Sequence, residues 1–181
     1  MRVLTAMILI VLFLASPNSL LAKVFYAKED AIRSAFPEAE VIEKRTFFLT
    51  EDQKRQVENL ARTRLDSNLV TLYMGKRGQR LLGYAMIDVH TVRTLPEAVM
   101  VVLSPEGRVT STLILAFYEP LEYLPTERWL KQFEQRTLTP DLRVVGGISG
   151  ITGATLTARG VTEAVRKALA VYQVLIATGG R

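Results

Sequence analysis

The sequence predicts an α+β fold: an antiparallel sheet packed by helices, with a glycine-rich loop leading into a long C-terminal helix. Three observations carry this. Apolar, β-branched segments follow one another from about Leu69 to Tyr118, punctuated by Gly and Pro turn signals. Helical patterns flank that block on both sides. Near the C-terminus, Gly146-Gly147-Ile148-Ser149-Gly150-Ile151-Thr152-Gly153-Ala154-Thr155-Leu156-Thr157 runs straight into an amphipathic stretch of helical period.

The elements can be taken in order. Lys28 to Phe36 reads as a short helix stopped at Pro37. Val41 to Leu49 is apolar enough for a strand or a connecting segment. Thr50-Glu51-Asp52-Gln53 is a capping box, a hydroxyl followed three residues later by an amide. The helix it starts should reach about Leu65, with Val57, Leu60, Ala61 and Leu65 on one face. Leu69 to Met74 is a strand, Gly75-Lys76-Arg77-Gly78 a turn, and Leu81 to Val92 a long strand. Ala98 to Leu103 and Val109 to Tyr118 form a hairpin around the Ser104-Pro105-Glu106-Gly107 turn. The resulting sheet should have one face covered by helices. Pro125 opens a helix through Trp129 to Phe133. The last helix should run from about Leu156 to Ile176, burying Val161, Ala164, Val165, Ala168, Leu169, Tyr172 and Leu175, with Glu163, Arg166 and Lys167 on the opposite side.

Composition narrows the chemistry. The chain has 181 residues, 49% hydrophobic, enough for one domain with a core of its own. It has no cysteine, which excludes disulfides, thiolate metal sites and iron–sulfur ligation. Its one histidine, His90, ends an apolar strand and has no cluster of carboxylates near it in the sequence, so no metal site and no catalytic acid or base is expected. The net charge of +5 is spread out. The longest basic cluster, Lys76-Arg77-Gly78-Gln79-Arg80, reads as a solvated turn, and no nucleic-acid partner is expected.

The first 22 residues have the pattern of a secretory signal peptide. Arg2 precedes the apolar run Val3 to Ala15, Ser16-Pro17-Asn18-Ser19 breaks it, and Ala22 offers a small side chain at the cut. An uncleaved membrane anchor is the alternative. Residues 1–22 are thus expected to be a signal peptide and residues 23–181 a single exported domain, periplasmic or otherwise extracytoplasmic and associated with the membrane.

The glycine-rich segment is where ligand chemistry concentrates. Glycines let backbone N–H groups approach an anion, and the helix N-terminus behind them adds free donors and partial positive charge. Thr152, Thr155 and Thr157 place three hydroxyls in the same stretch, so a phosphate group is the natural ligand. The segment is not a P-loop, for no Lys lies between Gly146 and Thr157, and it does not follow the first strand of a βαβ unit. Ser149 lacks the glycine two residues on that a nucleophile elbow needs. On the residues alone, a plain helix cap behind a flexible loop fits as well.

Thr152-Gly153-Ala154-Thr155-Leu156-Thr157 resembles the S/T-G-A-T-x-S/T motif of the FMN-binding domain family, which includes the small periplasmic subunits of the Rnf complex and of the sodium-translocating NADH:quinone reductase. The similarity extends over roughly Val70 to Tyr172: Gly83, the Ser104–Gly107 hairpin, Glu119-Pro120 and the Trp129–Phe133 helix stand in the family's order. Two positions depart from the family pattern. Ser149 stands where an acid is usual, and Leu121-Glu122-Tyr123 where a glycine-rich stretch is usual. The resemblance implies FMN joined covalently through its phosphate to Thr155 by a flavin transferase. Thr152, Gly153, Ala154, Leu156, Thr157, Ser149 and Gly150 would surround it, and Tyr84, Tyr118 and Trp129 are candidate ring neighbours. It implies electron transfer between membrane-bound or periplasmic redox proteins. A non-flavinylated binding or scaffold module of the same fold, with a phosphate-binding glycine loop, is the alternative.

Overall fold

The computed structural model describes residues 23–178; the signal segment expected at residues 1–22 lies outside them. Six strands form one antiparallel sheet: β1 (Lys23–Val24), β2 (Val41–Phe48), β3 (Leu69–Arg77), β4 (Arg80–Thr91), β5 (Pro96–Leu103) and β6 (Val109–Phe117), in the order β1-β6-β5-β4-β3-β2. Four α-helices accompany it: α1 (Lys28–Ala35), α2 (Glu51–Ala61), α3 (Glu127–Leu130) and α4 (Thr155–Tyr172). A 3₁₀ turn (Leu121–Tyr123) precedes α3, another (Lys131–Phe133) extends it, and a π-helical turn (Gln173–Ala177) extends α4. The α+β class and the long C-terminal helix are as the sequence predicts. Among the described residues, no helix is long and apolar enough to cross a membrane.

The sheet is buried on both faces, whereas the sequence suggested one. Val99, Val101 and Leu103 of β5 face a large core shared with α2, α3 and α4. Met100 and Val102, pointing the other way, meet Ala31 and Ile32 of α1 and Phe36 just after it. The continuous apolar run of β5 supplies both faces at once. The β3–β4 turn is also shorter than expected: Gly75, Lys76 and Arg77 remain in β3, and the chain reverses at Gly78 and Gln79.

Capping decides where helices begin and end. Thr50 and Gln53 close the expected box, with Thr50 Oγ1 accepting from the Gln53 N–H at 3.2 Å and Gln53 Oε1 accepting from the Thr50 N–H at 3.0 Å. Thr126, rather than Pro125, caps α3 by accepting from the Trp129 N–H at 3.2 Å. Helix α2 stops at Ala61, four residues earlier than its apolar periodicity suggests. Arg62 turns into the left-handed region at φ 57°, and Arg166 of α4 takes up the terminal carbonyls, Nη2 donating to Leu60 and Nε to Ala61, both at 2.7 Å. The orphan carbonyls at a helix end are thereby satisfied by a buried cation.

Arg166 and Lys167 do not lie on a solvent face of α4; each is only 6% exposed. Lys167 Nζ reaches Asp88 Oδ1 at 3.0 Å and Oδ2 at 3.2 Å. His90 bridges two carboxylates, its Nδ1 2.9 Å from Asp88 Oδ2 and its Nε2 3.1 Å from Glu97 Oε2. His90 is thus more than a strand end, because strand pairing sets Glu97 directly across from it on β5. Burial opposes charge on the ring, but the hydrogen bonds and charges of Asp88 and Glu97 outweigh that and push its pKa up to about 9. Gly160 makes the room: a Cβ there would lie 2.4 Å from His90 Nε2. Two carboxylates and two cations therefore fasten α4 to β4 and β5.

Candidate functional site

The chain from Ile151 to Thr157 builds an open helix end. Ala154 donates its N–H to the Ile151 carbonyl at 3.0 Å, and Gly153 turns through the left-handed region at φ 78°, where a side chain is disfavoured. Helix α4 then begins at Thr155 with no side-chain cap and no acidic residue in its first turn. Among the described residues, no acceptor reaches the N–H groups of Thr155, Leu156 or Thr157. An 18-residue helix therefore presents free donors and the positive end of its dipole to whatever sits before it.

A cavity of about 200 Å³ lies there, lined by Val92, Arg93, Glu119, Tyr123 and the whole run from Gly153 to Thr157. Thr155 is exposed in it, while Thr157 and Ala154 are buried beneath. The far wall is the β4–β5 loop. Glu119 Oε1 accepts from the backbone N–H groups of Arg93 at 3.0 Å, Thr94 at 2.9 Å and Leu95 at 3.0 Å. These bonds, led by that from Thr94, hold the Glu119 carboxyl below its usual range against the opposing effect of burial. Its charge is thus spent on the loop, leaving the Arg93 guanidinium, which lies 5.8 Å from the centre of the Tyr123 ring, as the cation of the cavity.

Of the residues expected at the site, Thr155, Gly153, Ala154, Leu156 and Thr157 come together around this cavity. Thr152, Ser149 and Gly150 stand outside its lining. Ser149 is bound on its main chain instead: its carbonyl accepts from Trp129 Nε1 at 2.8 Å and its N–H donates to Gln132 Oε1 at 2.9 Å. Trp129 packs edge-on against Phe133, and Tyr84 edge-on against Tyr172, so both rings belong to the core. Tyr118, the third aromatic considered, is absent from the cavity wall. The cavity takes its aromatic from Tyr123, which the sequence offered only as a departure from the family pattern. Arg93 and Val92 carried no sequence signal, since their place follows from the loop that Glu119 holds. Among the described residues, no group of His, Asp and Glu side chains is arranged to hold a metal ion.

The donor set suits a phosphate ester: uncapped main-chain N–H groups, one arginine, a hydroxyl at the helix start and no unpaired carboxylate. The class defined by fold and cavity is a small α+β domain whose last helix starts, uncapped, at a cavity suited to an anion. Residues 96–170 match the model of the FMN-binding domain family. The match spans β5, β6, Glu119, Tyr123 and the start of α4, so all of the cavity but Val92 and Arg93 falls within it. The match supports a flavin-binding protein with FMN as its cofactor. No curated protein matches it.

Proposed function

We propose that this protein carries FMN esterified through its phosphate to Thr155, and that it passes electrons between redox partners at the outer side of a membrane. The observation that carries this reading is the exposed hydroxyl of Thr155 at the first residue of an uncapped helix, inside the cavity. The bond formed would join Thr155 Oγ1 to the FMN phosphorus and the bond broken would be the phosphoanhydride of a flavin dinucleotide donor held by a separate flavin transferase; the nucleoside monophosphate leaves and the hydroxyl proton goes to a base of that transferase. No neighbouring carboxylate or histidine in the cavity would serve as base, since Glu119 is committed to three main-chain N–H groups.

The main-chain N–H groups of Thr155, Leu156 and Thr157 would hold the phosphate oxygens, and Arg93 would balance their charge. A cavity of about 200 Å³ is smaller than the roughly 300–1,000 Å³ that encloses a whole small ligand. The cavity residues would therefore hold the phosphate end of FMN, and its redox chemistry would be supplied outside the cavity, open to a partner protein. FMN supplies the redox chemistry, while the chain supplies position and electrostatics. A covalent tether suits an exported protein, because lost cofactor is not replaced outside the cytoplasm; the amino-terminal pattern at residues 1–22 supports that location.

Intact mass of protein produced together with a flavin transferase tests the reading. One FMN adduct is expected, with fluorescence that stays on the denatured polypeptide. Thr155→Ala should remove the adduct completely, and Ser149→Ala should leave it in place. Flavin released by denaturation would refute the covalent link and leave non-covalent FMN. Full labelling of Thr155→Ala would refute the attachment site.

A further inference from the structure

A second cavity, on another side of α4, takes half of its lining from arginine. It measures about 330 Å³ and is lined by Arg62, Arg143, Arg159 and Arg166, with Ala61, Val144, Thr162 and Glu163. Four guanidinium groups against one carboxylate leave a net charge of about +3. Among the described residues, none of the four forms an ion pair with a carboxylate. Glu163 instead accepts from Thr63 Oγ1 at 3.0 Å.

The arrangement is fixed from below. Arg166 is buried and spends four of its five N–H donors on carbonyls: Leu60 and Ala61 at 2.7 Å, Leu142 at 3.0 Å and Thr139 at 3.1 Å. Its charge therefore persists at the cavity with no counter-ion, and both burial and the nearby Arg62 disfavour that charge. Arg143 is folded back over the turn at Gly146, where an added Cβ would lie 2.6 Å from its Cγ and 3.1 Å from its Nε. The left-handed turn at Arg62 brings a third guanidinium over the end of α2. Arg159 extends from α4 itself, one turn after Thr155. Like charges gathered this way repel one another unless an anion joins them.

We propose that this cavity is a binding site for a phosphate-bearing ligand, separate from the flavin site. A carboxylate offers two oxygens and one charge. A phosphoryl group offers three strong acceptor oxygens and about −1.5 to −2 charges, which matches three unpaired guanidiniums. Glu163 is the one opposing charge on the wall, so it limits affinity. The inference does not depend on covalent flavinylation.

The test uses calorimetric titration of the purified full chain with inorganic pyrophosphate, with inorganic phosphate and citrate as comparison probes. Pyrophosphate should bind more tightly than phosphate and at least tenfold more tightly than citrate. Arg62→Gln combined with Arg159→Gln should weaken pyrophosphate at least tenfold, and Glu163→Gln should tighten it several-fold. Arg93→Gln, altering the flavin cavity, should leave it within about twofold. Arg159→Glu, a single exposed change, gives the same reading should the double variant fold poorly. No heat of binding, an affinity unmoved by Arg159→Glu, a loss that follows Arg93 instead, or citrate binding as tightly as pyrophosphate would each overturn the proposal.

Discussion

Residues 146–149 and residues 153–157 are similarly rich in small and hydroxyl side chains, yet their main chains meet opposite ends. In the first stretch every N–H is taken: Gly146 and Ile148 donate to the Arg143 carbonyl at 3.0 and 3.2 Å, Gly147 to the Asp141 carbonyl at 2.6 Å, and Ser149 to Gln132. Arg136 Nη2 closes over the Gly147 carbonyl at 3.0 Å. In the second stretch only Ala154 is bonded in this way, and among the described residues nothing accepts from the N–H groups of the next three residues, all of which line the cavity. Glycine content therefore does not by itself mark a ligand site. What marks it is which main-chain donors the rest of the fold leaves without partners.

The open stretch depends on the wall opposite, so the largest effect on the contrast should come from Glu119. Glu119→Ala strips one acceptor from three N–H groups, and hydrogen bonds to a charged group are worth about 1.5–3 kcal/mol each. Because Arg93 and Thr94 are exposed and water replaces part of the loss, a cost of about 3 kcal/mol is expected in urea unfolding, together with lower flavin incorporation. The carboxyl is held below its unfolded value, so its contribution is present above about pH 4.3 and disappears as pH falls through the lowered value. The stability gap between the parent and Glu119→Ala should therefore close on acidification. A gap that stays constant would mean that Glu119 does not hold the loop as a carboxylate.

Next in size is a break in the closed stretch. Gly147→Val would set its Cβ 2.8 Å from Asp141 Oδ2 and 2.9 Å from the Asp141 carbonyl, forcing the turn apart at about 1–3 kcal/mol. Gly150→Ala, whose nearest neighbour would be 3.8 Å away, should change stability by less than about 0.5 kcal/mol. Equal losses at the two glycines would erase the distinction between a packed turn and a free one.

The same contrast explains what could be read in advance. The sheet, the Thr50 capping box and the long last helix follow from local period and turn chemistry, and they were legible. So was the run from Gly153 to Thr157, because the motif and the helix start coincide in sequence. Arg93, Tyr123 and the commitment of Glu119 were not legible as a site, since a loop 24 to 26 residues away brings them together. Arg166 and Lys167 read as surface charges because helical period cannot see the carbonyls of α2 or the Asp88 carboxylate across the core. His90 read as isolated because Glu97 becomes its partner only through the pairing of β4 with β5.

A further break, smaller than that at Gly147, separates the closed stretch from flavin chemistry. Trp129→Phe keeps an aromatic ring against Phe133 but removes the indole N–H that reaches the Ser149 carbonyl at 2.8 Å. Ser149 is exposed, so water can replace the lost donor. The expected cost is about 1 kcal/mol, near the ordinary net value of one hydrogen bond, read as a shift in the urea midpoint at unchanged slope. Flavin content should not change, because neither Trp129 nor Ser149 lines the cavity at Thr155. A variant as stable as the parent but short of flavin would place Trp129 with the cofactor instead, and the division of the segment at Gly150 would have to be redrawn.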